Sequence, residues 1–217
     1  MSDPSSDIMH ATYGALCRHG YADLTMRHIA EEADCSKASL HYHYESKQGL
    51  MLAFLDYLFE RFTDRVGGVD GEGGLAGERA DGSGGVVDDP DGRLREFVDD
   101  VLHPPAEGDT AREFRTALLE IKAQSPYDDA FGERIAAFDE HIYDTVHDLV
   151  AAGVDASVYR EGTDPDEVAR FVLALVDGAQ ARHVVAGEDV DVLQAALESY
   201  LDGLVQSPAE QTQEVPQ

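Results

Sequence analysis

Within residues 25–47 the chain gathers Thr25, Arg27, Ser36, Lys37, Ala38, Ser39, His41, Tyr42, His43 and Lys47. Hydroxyls, a guanidinium, ammonium groups and a phenol of this kind donate hydrogen bonds to phosphate oxygens and base edges. Arg27 can grip guanine through two parallel bonds, Ser39 can read either base type, and Ala38 can meet a thymine methyl. The plain alternative for each is a solvated or capping side chain, and at Thr25 and Ser46 both roles hold together. His41 and His43 are two residues apart and do not share a helix face, which argues against a metal pair. No paired-carboxylate, Ser-His-Asp or metal-ligand pattern stands out from the background. Neither enzymatic activity nor a cofactor is therefore expected.

The elements that would position these groups are legible nearby. Thr25 is a good N-cap, and Ile29, Ala30 and Ala33 recur at helical spacing behind it. Asp34 stands where the chain must turn sharply, and Asp tolerates left-handed backbone. Ser36 caps a second helix from Lys37 to about Tyr44, and Ser46 caps a third with Lys47 in its first turn. The spacing turns Leu40 and Tyr44 inward and leaves Lys37, Ala38, Ser39, His41, Tyr42 and His43 to the groove side. Helix, short turn, helix is the arrangement whose second helix enters the major groove of DNA. At the helix starts, amides, the Thr25 and Ser46 hydroxyls and the Lys47 ammonium can hold phosphate oxygens.

The composition pulls the other way. There are 44 acidic residues against 16 basic ones, and only Lys37, Lys47 and Lys122 are lysines. Nucleic-acid binders are usually basic. The excess is uneven, however: residues 1–66 carry 10 acids and 6 bases, and residues 67–217 carry 34 and 10. An acid-rich, lysine-poor chain with ordinary globular patterning resembles the proteins of salt-accumulating, halophilic archaea, whose carboxylates keep surfaces soluble in screening salt. An acidic mesophilic protein, or an acidic partner-binding surface, is the alternative.

At 217 residues the chain holds one large or two small domains. It has no apolar run long enough for a bilayer, no signal-peptide pattern, and two cysteines that form neither a disulfide framework nor a zinc motif. A cytoplasmic protein with no membrane partner is expected. Cys35 reads as a small buried hydrophobe and Cys17 as the more exposed thiol.

Apolar periodicity predicts an all-α chain of roughly nine helices. The first runs from about Asp7 to His19, with Gly20 as its stop. A broad stripe from Leu50 to Phe62 marks a helix from Ser46 to about Val66. Residues 67–92 are Gly- and Asp-rich and read as a flexible loop. Helices follow over Arg93–His103, from Asp109-Thr110 to near Ser125-Pro126, and over Asp128–Ala152 with Gly153 as a stop. The last two span Pro165–Ala186 and Val190–Val205, and 207–217 reads as a disordered tail. These segments divide into a helix-turn-helix domain at 7–47 and a larger helical domain at 48–206.

The series Ile8…Ala11…His19-Gly20-Tyr21…Leu24-Thr25-Met26-Arg27-His28-Ile29-Ala30…Ala33…Ser36-Lys37-Ala38-Ser39-Leu40-His41-Tyr42-His43-Tyr44-Glu45-Ser46-Lys47…Leu50 resembles the tetracycline-repressor (TetR/AcrR) family. Val168–Leu204 is similar to the C-terminal half of one subset of it. The resemblance implies a homodimeric DNA-binding transcriptional regulator, most simply a repressor released from a palindromic operator when a small-molecule effector binds the C-terminal domain. It implies DNA contacts at Arg27 and Lys47 and phosphate contacts at Tyr42 and His43. Asp34 stands where the family usually has Gly, His41 where it often has Tyr, and Tyr44 where it often has Phe. The His41 difference alters the sequence read, and Glu45 must point away from phosphate. Phe97, Phe114, Phe131, Phe138 and Tyr143 are candidates to line the effector pocket, with core packing as the alternative, and His141 and Arg182 could orient a ligand or be solvated. The last two long helices are the natural dimer seam. A helical small-molecule sensor that does not bind DNA is the competing function.

Overall fold

The computed structural model describes residues 4–67, 89–103 and 110–206. Of the stretch 67–92 expected as a loop, residues 68–88 lie outside the described residues, as does the tail at 207–217 expected to be disordered. At the edges of that stretch the expectation fails, since Gly67 ends a helix and Pro90–Gly92 open another. Within them the protein is all-α: α1 Pro4–Asp23, α2 Met26–Glu32, α3 Lys37–His43, α4 Lys47–Gly67, α5 Pro90–Leu102, α6 Thr110–Lys122, a 3-10 turn Ser125–Tyr127, α7 Asp129–Asp155, α8 Pro165–Ala186 and α9 Val190–Asp202. The only strand-like pairing among the described residues is an isolated bridge between Tyr159 and Val205.

The chain forms two compact units. One takes the chain to Gly68 and 105–138, so it holds α1–α4, α6 and the start of α7. Its core gathers Leu16 of α1, Ile29 of α2, Leu40 of α3, Leu50, Met51 and Phe54 of α4, and Ile121 of α6, none of them exposed. Each such side chain contributes about 1.5–3 kcal/mol through burial. α6 packs along α1, with Phe114 against the Tyr13 ring at 4.7 Å. Between α1 and α2, His19 and His28 stack at 4.0 Å and Arg18 pairs with Glu32.

The second unit holds α5, α7 from Asp139 onward, α8 and α9. α5 packs on α8 and α9 and buries Leu94, Phe97, Val98, Val101 and Leu102. Its start is fixed by Asp89, whose side chain accepts from the Gly92 amide, so α5 begins at Pro90, before the Arg93 at which the apolar spacing starts. Asp164 and Asp189 cap α8 and α9 in the same way.

Of the two glycines expected to end helices, one does: Gly20 adopts φ 68 and ψ 168, which breaks the helix after His19, and a short helical turn follows through Asp23. The other does not. Gly153 lies inside α7, which continues to Asp155. A Cβ there would fall on the ring of Tyr159, so Gly153 serves close packing and leaves the helix intact. Cys17 and Cys35 are both half-buried against the first unit's core. The expected contrast between them is absent because Cys17 packs beside Tyr13 on the side of α1 that faces α6.

Candidate nucleic-acid interface

The caps written into residues 25–47 form as their chemistry requires. Thr25 is extended, and its hydroxyl accepts from the His28 amide at 3.2 Å. Ser36 is extended, and its hydroxyl accepts from the Ser39 amide at 3.0 Å. Ser46 accepts from the Gly49 amide at 3.0 Å. Each such cap stabilises its helix by about 1 kcal/mol. Between α2 and α3, Asp34 takes φ 48, and the Cys35 amide returns to the Ala30 carbonyl at 3.0 Å. A non-glycine residue is tolerated there because Asp is among the few that enter this region readily.

α3 hangs on one side chain. Leu40 is fully buried, while Lys37, Ala38, Ser39, His41, Tyr42 and His43 are exposed, as is Ser36 before them. Tyr42 is 86% exposed, among the most exposed large side chains described. Its ring meets His43 edge-on at 5.3 Å. A seven-residue helix that shows solvent six of its residues gains little from its own burial. Its outward face is free for a partner, and Leu40 fixes where that face points.

Two of the region's three permanent cations, Arg27 and Lys47, are already engaged, while Lys37 is exposed on α3. Arg27, 78% exposed, pairs with Glu31 one turn later at 2.7 Å, which holds the Glu31 carboxyl below its ordinary range. Lys47 is half-buried. Its ammonium donates to the Tyr21 carbonyl at 2.5 Å and sits 4.3 Å over the Tyr21 ring. Burial lowers its pKa, opposed by the charges of Asp23 and Glu120. Glu45 is exposed.

The residues considered for an effector fall in different units. Phe114 and Phe138 belong to the first, where Phe138 meets Phe62 at 4.9 Å and Phe59 at 6.0 Å. Phe97 and His141 belong to the second, and burial lowers the His141 pKa. The second unit also has an open groove of about 450 Å3, lined by Asp139, Glu140, Tyr143, Arg170, Leu173 and Asp177 among others. Arg170 lies over the Tyr143 ring at 5.2 Å, and the Tyr143 hydroxyl donates to Asp166. Of the groove's lining the sequence singled out Tyr143 alone, as one aromatic candidate among several, because carboxylates are everywhere in the chain. Nor did it single out Glu120, which accepts from the Tyr21 and Ala22 amides at 2.5 and 3.3 Å.

Residues 8–54 match the family model for bacterial regulatory proteins of the tetR family. Residues 90–206, more than half of the chain, match the model for the C-terminal part of BetI-type transcriptional repressors. No curated protein is a match. Among solved structures, a TetR transcription regulator from Haloarcula marismortui is 35% identical over 95% of this chain and 100% of its own, with a TM-score of 0.80. A regulator from Saccharomonospora viridis, solved with choline, is 23% identical over 94% of this chain and 98% of its own, at 0.76. One from Rhodococcus sp. is 22% identical over 94% and 100%, at 0.73. The latter two speak for the fold alone.

Proposed function

The chain belongs to the TetR family, whose architecture is that of a ligand-responsive DNA-binding transcriptional regulator, and from that premise we propose that this member is a repressor reading a palindromic operator as a homodimer. The reading head is α2–α3, with α3 in the major groove. Ser39, His41 and Ala38 meet base edges, while Tyr42, His43, Lys37 and the caps at Thr25, Ser36 and Ser46 hold phosphates. The observation that carries this is the exposure of every α3 side chain except Leu40. Arg27 and Lys47 must each leave an internal partner, Glu31 and the Tyr21 carbonyl, to reach DNA. Their contribution to affinity is reduced by that exchange.

The dimer forms through α8 and α9. On α8, Phe171, Ala174, Gly178 and Val185 fall on one exposed side at spacings of three, four and seven. On α9, Val192 and Ala196 are exposed opposite the buried Val190, Leu197 and Leu201. An exposed apolar face beside small residues suits close helix packing across a two-fold axis. A small-molecule effector then shifts the population toward a state whose heads no longer fit both half-sites. Phe97, Phe114, Phe138 and His141 remain the proposed effector-lining residues from the sequence. The groove of Tyr143 adds a candidate class, an organic cation. Its ring already receives the Arg170 guanidinium, three carboxylates surround it, and the Saccharomonospora viridis relative was solved with choline.

From the acidic composition we infer a protein working in concentrated salt, as in a halophilic archaeon. There, binding cannot rest on counterion release, so affinity comes from base and apolar contacts. The experiment is selection of duplexes from a random-sequence pool in molar KCl, followed by anisotropy titration over a salt series. An enriched palindrome with a shallow salt slope supports the reading. No enrichment at any salt returns the competing reading, a sensor without DNA binding.

A further inference from the structure

Glu120 does something for the head that the family match does not specify. Its carboxylate leaves α6 and accepts the consecutive amides of Tyr21 and Ala22 at 2.5 and 3.3 Å. Those amides point together because Gly20 adopts φ 68 and ψ 168, a conformation essentially limited to glycine. Successive backbone amides arranged this way form an anion-binding concavity. A Cβ on Gly20 would lie 3.1 Å from the Glu120 carboxylate, so the glycine also makes room for the anion. On the other side of the same residue, the Tyr21 carbonyl accepts from Lys47 at the start of α4. The Tyr21 ring meets Phe131 of α7 edge-on at 5.9 Å. The last turn of α1, after the break at Gly20, is therefore gripped at its N–H groups by α6, at its carbonyl by α4, and at its side chain by α7.

We propose that Glu120 is a positioning residue that fixes the angle of the α2–α3 head and thereby sets the operator half-site spacing the protein accepts. This rests on the DNA reading above. Apolar packing alone lets helices slide and rotate by small amounts. A carboxylate on two backbone amides is directional and roughly twice as strong as a neutral hydrogen bond. Moving a half-site by one base pair displaces it by about 3.4 Å and turns it by roughly 35°. A head held at one angle rejects that displacement, and a head freed at the Gly20 break follows it.

The test uses the full chain and the duplex enriched by the wild-type protein, with one base pair inserted or removed at its centre. Wild type is expected to bind the altered duplexes at least tenfold more weakly. Glu120→Ala is expected to bind all three within about threefold of one another. Glu120→Gln, which keeps one acceptor, is expected to fall between. If Glu120→Ala does not fold, Glu120→Gln decides by the same spacing ratio, with Gly20→Ala as the perturbation from the opposite side. Weaker binding by the variants with an unchanged spacing preference assigns Glu120 to stability only and overturns the proposal. Failure of the wild type to enrich any duplex removes the DNA reading itself, a separate outcome.

Discussion

Gly153→Ala should destabilise the protein, although an alanine in a helix is normally an improvement. Gly153 is interior to α7, so the substitution gains about 1 kcal/mol of helix propensity. Against this, the new Cβ would overlap Cδ2 and Cε2 of Tyr159. Tyr159 is only 1% exposed, and its backbone is tied down, because the Val158 and Tyr159 amides both return to the Gly153 carbonyl at 2.8 and 3.1 Å. The ring's hydroxyl donates to Asp91 at 2.9 Å, and Asp91 also accepts from Arg95 at 2.9 Å. Burial, and then the hydrogen bond to Asp91, push the phenol well above its ordinary pKa, so the donor stays protonated. Overpacking costs about 1–3 kcal/mol, and displacing a hydroxyl from a charged acceptor costs about 1.5–3 kcal/mol more. The net expectation is a loss of about 1.5–5 kcal/mol, read by urea denaturation followed by far-UV circular dichroism at constant salt. Gly132→Ala, in the same helix, is the control. Its Cβ would meet only Ser125 atoms, none nearer than 3.6 Å, and up to about 1 kcal/mol of stabilisation is expected. A Gly153→Ala midpoint equal to or above that of Gly132→Ala would refute the packing account and restore Gly153 as a helix-ending glycine.

Tyr42→Ala removes a side chain that is 86% exposed, so unfolding should change by no more than about 0.5 kcal/mol. Affinity for the selected duplex should fall about tenfold or more in an anisotropy titration, and unchanged affinity would remove Tyr42 from the interface. Val192→Glu places a charge on a residue 68% exposed in the single chain. The helix content should persist while light scattering reports a monomer, and a persisting dimer would move the seam away from this face of α9. Burial raises the Cys17 thiol pKa, with a smaller opposing hydrogen bond from Tyr13. A raised pKa means less thiolate at pH 8, so in a Cys35→Ala background alkylation by iodoacetamide should run well below the rate for a free thiol. It should recover in urea, and an equal rate in the folded state would contradict the burial of Cys17.

The local grammar of the head was written in consecutive residues. Thr25, Ser36 and Ser46 cap helices because each hydroxyl accepts from the amide three residues ahead, and Asp34 turns the chain within its own φ. Those interactions depend on neighbours in sequence, as does the 3.6-residue spacing that made the chain all-α and turned Leu40 inward. Long-range contacts decided the rest. Gly20 and Gly153 look alike as helix-ending residues, yet one opens a pair of amides to Glu120, 100 residues away, and the other makes room for the Tyr159 ring. Lys47 was legible as a cation at a helix start, but its engagement with the Tyr21 carbonyl depends on α1 lying beside α4. Glu120 is one carboxylate among 44 acids and carries no mark of its own. By itself the sequence determined that a capped helix-turn-helix would form and what its outer face would offer. Only the tertiary structure decided which of its cations are already paired and what holds the head in place, because directional contacts between distant residues leave no periodic trace along the chain.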